Sequence, residues 1–230
     1  MSGAGAGETR WWWIRHAPVP DGGRIYGQRD VACDCSDRET FRVLAHLLPT
    51  GAVWLTSNLA RTQQTAQAIL NAAPGRFAGV SAIPIADFAE QHLGAWQGME
   101  RKAFYAARGV GVRTLWFALA DERPPGGESF ADLVARVAPA IGRLTREHRG
   151  RDIVAVTHGG TIRAAVAHAL RLEPQAALCL TVENCSLARL DHLAPTGAPD
   201  LWRIVCINHR PWSRPPDPAV DHPLPAADAV

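Results

Sequence analysis

Two short apolar runs each end on a histidine, and this pairing limits what the chain can fold into more than any other feature. Trp11-Trp12-Trp13-Ile14 runs into Arg15-His16 and then into a turn-rich stretch from Pro18 to Gly27. Ile153-Val154-Ala155-Val156 runs into Thr157-His158-Gly159-Gly160 and on into a helix-like segment. Short, near-continuous apolar runs bounded by turn residues read as strands buried on both faces. Ala52 to Thr56, Ala177 to Val182 and Leu201 to Ile207 read the same way. Helical patterns fall between them: Ser36 to Leu48, capped by Ser36 with Glu39 at capping-box spacing; Asn58 to Leu70; Ser129 to His148, with Phe130, Leu133, Val134, Val137, Ile141 and Leu144 on one face; and Thr161 to Leu170. The alternation predicts an α/β fold with a mostly parallel central sheet, right-handed crossovers and helices on both faces.

The 230 residues suit one domain over 10–209, with 99–125, which fits the alternation poorly, as a helical cap insertion. Residues 1–9 are Gly/Ala-rich and 210–230 carry prolines every few positions, so a disordered N-terminus and a proline-rich tail are expected. The net charge is +2, there is a single lysine, Lys102, and no basic run occurs, which argues against nucleic acid as a partner. No segment reaches the length of a membrane span and no secretory leader is legible. The five cysteines lack a disulfide framework or a CxxC pair, so reduced thiols and a cytoplasmic location are expected; Cys33-x-Cys35 alone falls short of a metal site. An exposed edge strand at Leu201 to Ile207 would allow a homodimer.

In open α/β sheets ligands sit beyond the carboxyl ends of the strands. Three such ends carry suitable groups here: Arg15 and His16; Ser57 to Arg61; and His158 with Gly159-Gly160 opening a helix, where backbone N–H groups and the helix dipole favour an anion. Two arginines and two histidines without lysine or clustered aspartates make a dianion pocket that requires no metal and no cofactor. Neutral imidazole can carry a phosphoryl group, so His16 is the candidate nucleophile, with Arg15, Arg61 and His158 on the phosphoryl oxygens. The leaving alkoxide needs a proton, and Glu90 in Ala89-Glu90-Gln91-His92-Leu93-Gly94 is the candidate acid; Asp87, Glu100 and Glu128 are rivals for the role. Trp11 to Trp13 read as core, whereas Trp96, close to Glu90, is open to core or to substrate stacking.

Taken in order, these motifs resemble the histidine phosphatase superfamily, which includes the cofactor-dependent phosphoglycerate mutases. Arg15-His16 resembles its Arg-His-Gly motif, and Ser57 to Arg61 with Thr65-Ala66 its Ser-x-x-x-Arg-x-x-x-Thr-Ala helix start. Glu90 to Gly94 resembles the acid loop and Thr157 to Gly160 the second-histidine motif, the match running over residues 11–210. The resemblance implies a mutase-like three-layer sandwich, a phosphohistidine at His16 and a pocket of Arg15, Arg61, His158 and Gly159, with Glu90 as proton donor. Tyr26-Gly27-Gln28-Arg29-Asp30 is similar to a family stretch that brings Gln28 or Tyr26 near substrate, and Pro125 to Ser129 to a run of the phosphatase branch, which includes α-ribazole phosphatases. The chain departs from the family at Ala17-Pro18, usually Gly-Glu, and at Gly22, where mutases carry Asn. A metal-independent phosphomonoesterase acting on a small phosphate ester is therefore favoured; mutase-type transfer and non-catalytic binding of a phosphorylated ligand are the alternatives.

Overall fold

The computed structural model describes residues 7–108, 117–195 and 201–210. The sheet has strands β1 (Glu8–Arg15), β2 (Val53–Thr56), β3 (Ile83–Pro84), β4 (Asp152–Thr157), β5 (Leu187–Leu193) and β6 (Leu201–His209), in the order β3-β2-β4-β1-β5-β6. β1 to β4 pair in parallel, and β5 and β6 extend the sheet antiparallel beyond β1. The α/β class with helices on both faces is as expected.

The tryptophan run shows how two faces are filled at once, because successive side chains of a strand point to opposite sides. Trp11 and Trp13 face one way, their rings stacked 4.7 Å apart, and pack with Phe130, Leu133 and Val137 of α4 (Phe130–Glu147) and Ile162 of α5 (Gly159–Leu170). Ile14 faces the other way with Trp54 and Val156, against Phe41 and Leu44 of α1 (Arg38–Leu47) and Ala66 and Ile69 of α2 (Ala60–Ala72). The chain leaves β1 through α1 on one face and β4 through α5 on the other. Arg15 stands beside Thr157 in the register, so the ends of β1 and β4 open into a crevice between diverging helices, where such sheets bind ligands.

Several local readings change. β1 begins at Glu8, so Glu8 and Thr9 are ordered strand residues and not part of a disordered N-terminus. Residues 1–6 and the tail 211–230 lie outside the described residues, as does 109–116 within the expected cap segment, where α3 (Arg101–Ala107) is seen. The cap of α1 is Asp37, which accepts from the Thr40 N–H; Ser36 is not the cap, and Glu39 pairs with Arg42 instead. The capping box occurs at α4, between Ser129 and Asp132. Ala177 to Val182 is not a strand: Pro174 starts a short helix, α6 (Pro174–Ala177), and the run that follows gives its Leu180 and Val182 carbonyls to Arg163 and Arg15. The strand missed nearby is β5, whose apolar alternation is broken by Arg189, Asp191 and His192; Asp191 is buried but neutralised by Arg189 and Arg203. β6 lies at the sheet edge, as expected.

Leu44 is fully buried between α1 and the sheet, away from the crevice. Leu44→Ala should cost about 2–5 kcal/mol in urea denaturation, with turnover per folded molecule unchanged.

Candidate active site

His16 is almost fully buried just past the end of β1, and its backbone is held on every side. Its N–H donates to the Thr157 carbonyl (2.9 Å), the Asn184 side-chain amide donates to its carbonyl (2.8 Å), and the next N–H, of Ala17, donates to Thr65 Oγ1 (2.8 Å). Ala17, the first departure from the family motif, is buried in the α1/α2 core. His16 Nδ1 lies 2.7 Å from the Ala17 carbonyl. A carbonyl only accepts, so Nδ1 carries the hydrogen and Nε2 keeps its lone pair, the tautomer a nucleophile needs.

His158 is the N-cap residue of α5 and is also buried, its ring centroid 5.2 Å from that of His16. Its Nε2 is 2.8 Å from Ser57 Oγ, a hydroxyl held in turn by the Leu59 N–H and by Thr62. Burial, then the positive charge of Arg61 and of Arg15, pushes His16 well below the usual histidine range. The same forces lower His158, with His16 and Arg136 adding to them. Both shifts favour the neutral ring at pH 7 in the free protein.

Arg61 is completely buried, and burial lowers its pKa. Its Nη1 and Nη2 donate to the carbonyls of Arg29 (3.0 Å) and Gly27 (2.7 Å), and its guanidinium lies 5.0 Å from the Tyr26 ring centroid. Arg15 donates from Nη1 to the Val182 carbonyl (2.6 Å). Arg15 Nε, Arg61 Nε and His158 Nδ1 are buried and make no hydrogen bond within the protein. Buried cationic donors are costly unless matched, and the two arginine Nε groups, beside the His158 ring nitrogen, suit an anion with several oxygens. Among the described residues no group of three or more His, Cys, Asp or Glu is placed to hold a metal ion. Cys33 and Cys35 have their sulfurs 3.5 Å apart, and the Cys33 thiol donates to the Arg61 carbonyl.

Glu90 reaches the pocket from the other side of α5. Its Oε2 accepts from the Gly160 N–H (3.2 Å) and its Oε1 from the Gln91 N–H (2.9 Å). A Cβ at position 160 would overlap Glu90 Oε1, so only glycine there lets the carboxylate rest on the helix end. The rival carboxylates are placed elsewhere: Asp87 faces Arg143 at the surface, Glu100 is exposed before α3, and Glu128 pairs with Arg136. Tyr26 stands edge-on to His16 with centroids 6.2 Å apart. Gln28 donates its amide to the Glu90 carbonyl (2.8 Å), so it supports the acid loop. Trp96 is buried against Phe104 with Ile25 and Leu93 and is core. Gly159 adjoins Arg15 and also Arg163, which sequence reading missed. Arg163 is buried, and burial together with the Arg15 charge lowers its pKa to about 10. Its place one helical turn after Gly159 was the available signal.

The family model of the histidine phosphatase superfamily (branch 1) matches residues 6–205. The chain belongs to that superfamily, and the expected enzyme class, a phosphatase of the histidine type, is the class of the family. Among curated relatives, a 2,3-bisphosphoglycerate-dependent phosphoglycerate mutase 2 of Gloeobacter violaceus is 30% identical over 181 residues, covering 74% of this chain and 79% of its own. A mutase of Rhizobium etli is 30% identical over 170 residues, covering 73% of this chain and 75% of its own. Among solved structures, a mycobacterial glucosyl-3-phosphoglycerate phosphatase superposes with a TM-score of 0.72 at 25% identity, covering 88% of this chain and 99% of that one. An α-ribazole-5'-P phosphatase from Escherichia coli, described as putative, shares the fold at a TM-score of 0.67 and 22% identity, covering 88% of this chain and 97% of its own. No helix among the described residues is long and apolar enough to cross a membrane.

Two predictions follow from the site's electrostatics and packing. His16 and His158 titrate near 6.5 when unfolded but lower when folded, so the unfolded chain takes up protons first as pH falls. Stability should be full above pH ~6.5 and decline below it, by up to about 1.4 kcal/mol per pH unit for each histidine; urea midpoints at pH 7.5 and 5.5 measure this, and equal midpoints would contradict it. Gly160→Ala should fold but displace Glu90, lowering kcat by about 10² in steady-state assays, the scale of a lost acid–base group.

Proposed function

We propose that the protein is a phosphomonoesterase that works through a phosphohistidine on a small phosphorylated metabolite. The observation that carries this reading is the His16 imidazole, locked with its proton on Nδ1, beside two buried arginine donors and a His158 ring nitrogen that no protein group engages. In the first step the Nε2 lone pair attacks phosphorus and the bond to the ester oxygen breaks. Arg15, Arg61 and His158 donate to the phosphoryl oxygens as charge develops on them. Glu90 gives its proton to the departing alkoxide, so the first product leaves as an alcohol. In the second step the Glu90 carboxylate takes a proton from water, the oxygen attacks the phosphohistidine, and His16 returns to its starting tautomer as phosphate leaves. Tyr26 edges the pocket and is positioned to meet the substrate.

The mutase reading has support in the names of the curated relatives. Hydrolysis is favoured because mutases carry Asn where this chain has Gly22, an exposed residue with nothing within 4 Å of its Cβ position. The glucosyl-3-phosphoglycerate phosphatase supports hydrolysis at greater sequence distance. The free cysteines, Cys33, Cys35, Cys179, Cys185 and Cys206, suit a reducing cytoplasm.

Phosphate release from a panel of phosphomonoesters in chelator tests the proposal. Wild type should be active, His16→Ala should lose at least about 10³ in kcat, as loss of a covalent nucleophile demands, and isomerised phosphoglycerate should be absent. Isomerisation faster than phosphate release would establish the mutase; phosphate binding without turnover would leave a binding protein.

A further inference from the structure

The acid loop has almost no regular structure around Glu90, so its carbonyls have to find donors outside any helix or ladder. Thr161 donates to the Phe88 and Ala89 carbonyls and Gln28 to that of Glu90, and one side chain, Arg136, reaches three carbonyls at once. Arg136, on α4, donates from Nη1 to the carbonyls of Asp87 (2.6 Å) and Ala89 (3.3 Å) and from Nη2 to those of Ala89 (3.2 Å) and Glu90 (3.4 Å). The guanidinium is itself held in a two-point grip by Glu128, Nη2 to Oε1 at 2.6 Å and Nε to Oε2 at 3.3 Å. Glu128 Oε1 also accepts from the His92 N–H (2.9 Å), on the far side of Glu90 in the chain. The pair thus grips the loop both before and after the acid. Backbone contact of Gly94 with Pro125 to Gly127 brings Glu128 into reach, since a Cβ at Gly94 or Gly127 would overlap the opposite backbone.

We propose that Arg136, oriented by Glu128, is the positioning residue of this enzyme's acid: by binding the carbonyls of Asp87, Ala89 and Glu90 it keeps the Glu90 carboxyl on the N-terminus of α5, aimed at the leaving oxygen. The inference rests on the reading of Glu90 as proton donor. A planar guanidinium with five N–H groups spans several carbonyls and a carboxylate together, which an ammonium cannot do with the same geometry. Arg136 makes none of these contacts with His16, Arg15 or Arg61, and its charge is the smallest of the causes that lower His158, so its loss should impair proton transfer far more than attack.

The leaving group separates these effects. p-Nitrophenolate departs without a proton, whereas the alkoxide of glycerol 1-phosphate does not. Arg136→Gln should lower kcat/KM for glycerol 1-phosphate about 10²-fold and for p-nitrophenyl phosphate no more than about 3-fold, the first being the scale of a misplaced general acid. Glu128→Gln should shift the ratio the same way by a smaller factor. Arg136→Lys, which keeps the charge, should fall between wild type and Arg136→Gln. Loss of folded protein lowers both activities equally and leaves the ratio unchanged, so Arg136→Lys keeps the test decisive if Arg136→Gln fails to fold. Adding Arg136→Gln to Glu90→Gln should cost nothing further on glycerol 1-phosphate, because both act through one group.

Equal loss on both substrates in the Arg136 variants, while Glu90→Gln remains leaving-group selective, would overturn the positioning role alone. A Glu90→Gln variant that is not selective would instead overturn the reading of Glu90, and with it this inference.

Discussion

Arg61 has been taken wholly out of water, and much of the site follows from that one buried cation. Removing a guanidinium from solvent costs several kcal/mol unless acceptors surround it. Two backbone carbonyls, of Gly27 and Arg29, receive its Nη groups, and they exist at that spot because the turn after Pro18 folds back over the start of α2. Burial is the main force that lowers both histidines, and the positive field of Arg61 adds to it. A cation that spent its charge on a carboxylate would leave His16 easier to protonate and the pocket less attractive to a dianion. Burial of the rings and the unspent charge of Arg61 thus act in the same direction on the imidazoles.

A second constraint is backbone position. β1 and β4 are sheet neighbours, so the residues just beyond them, His16 and His158, are brought together by strand register and not by loop conformation. Helix α5 begins immediately after His158, and its first N–H groups meet Glu90 from a different segment. His16 and His158 are therefore set by the rigid sheet, whereas Glu90 depends on side-chain donors gathered around an irregular loop.

The sequence made the strands and the pocket residues legible to different degrees, for physical reasons. β1, β2 and β4 are buried on both faces, so their runs are apolar throughout and stand out. β5 was hidden because Asp191 sits in the sheet core and is neutralised by Arg189 on the same strand and by Arg203 opposite it on β6. Ala177 to Val182 misled because an apolar loop can be buried when arginine side chains take its carbonyls. His16, Arg15, Arg61, His158 and Glu90 were recognisable by residue type and order. The contact of Gln28 with the Glu90 carbonyl and that of Arg163 with the Leu180 carbonyl were not legible, since which carbonyl a side chain reaches is decided by tertiary contact.

The central claim is the protonation state of His16, and imidazole nitrogen NMR on ring-labelled protein measures it directly between pH 7.5 and 5.5. The account predicts one buried histidine, lost from the spectrum in His16→Ala, that stays neutral across this range with its hydrogen on Nδ1 and an unprotonated Nε2. A His16 ring that carries its proton on Nε2, or that becomes imidazolium near pH 6.5, would contradict it.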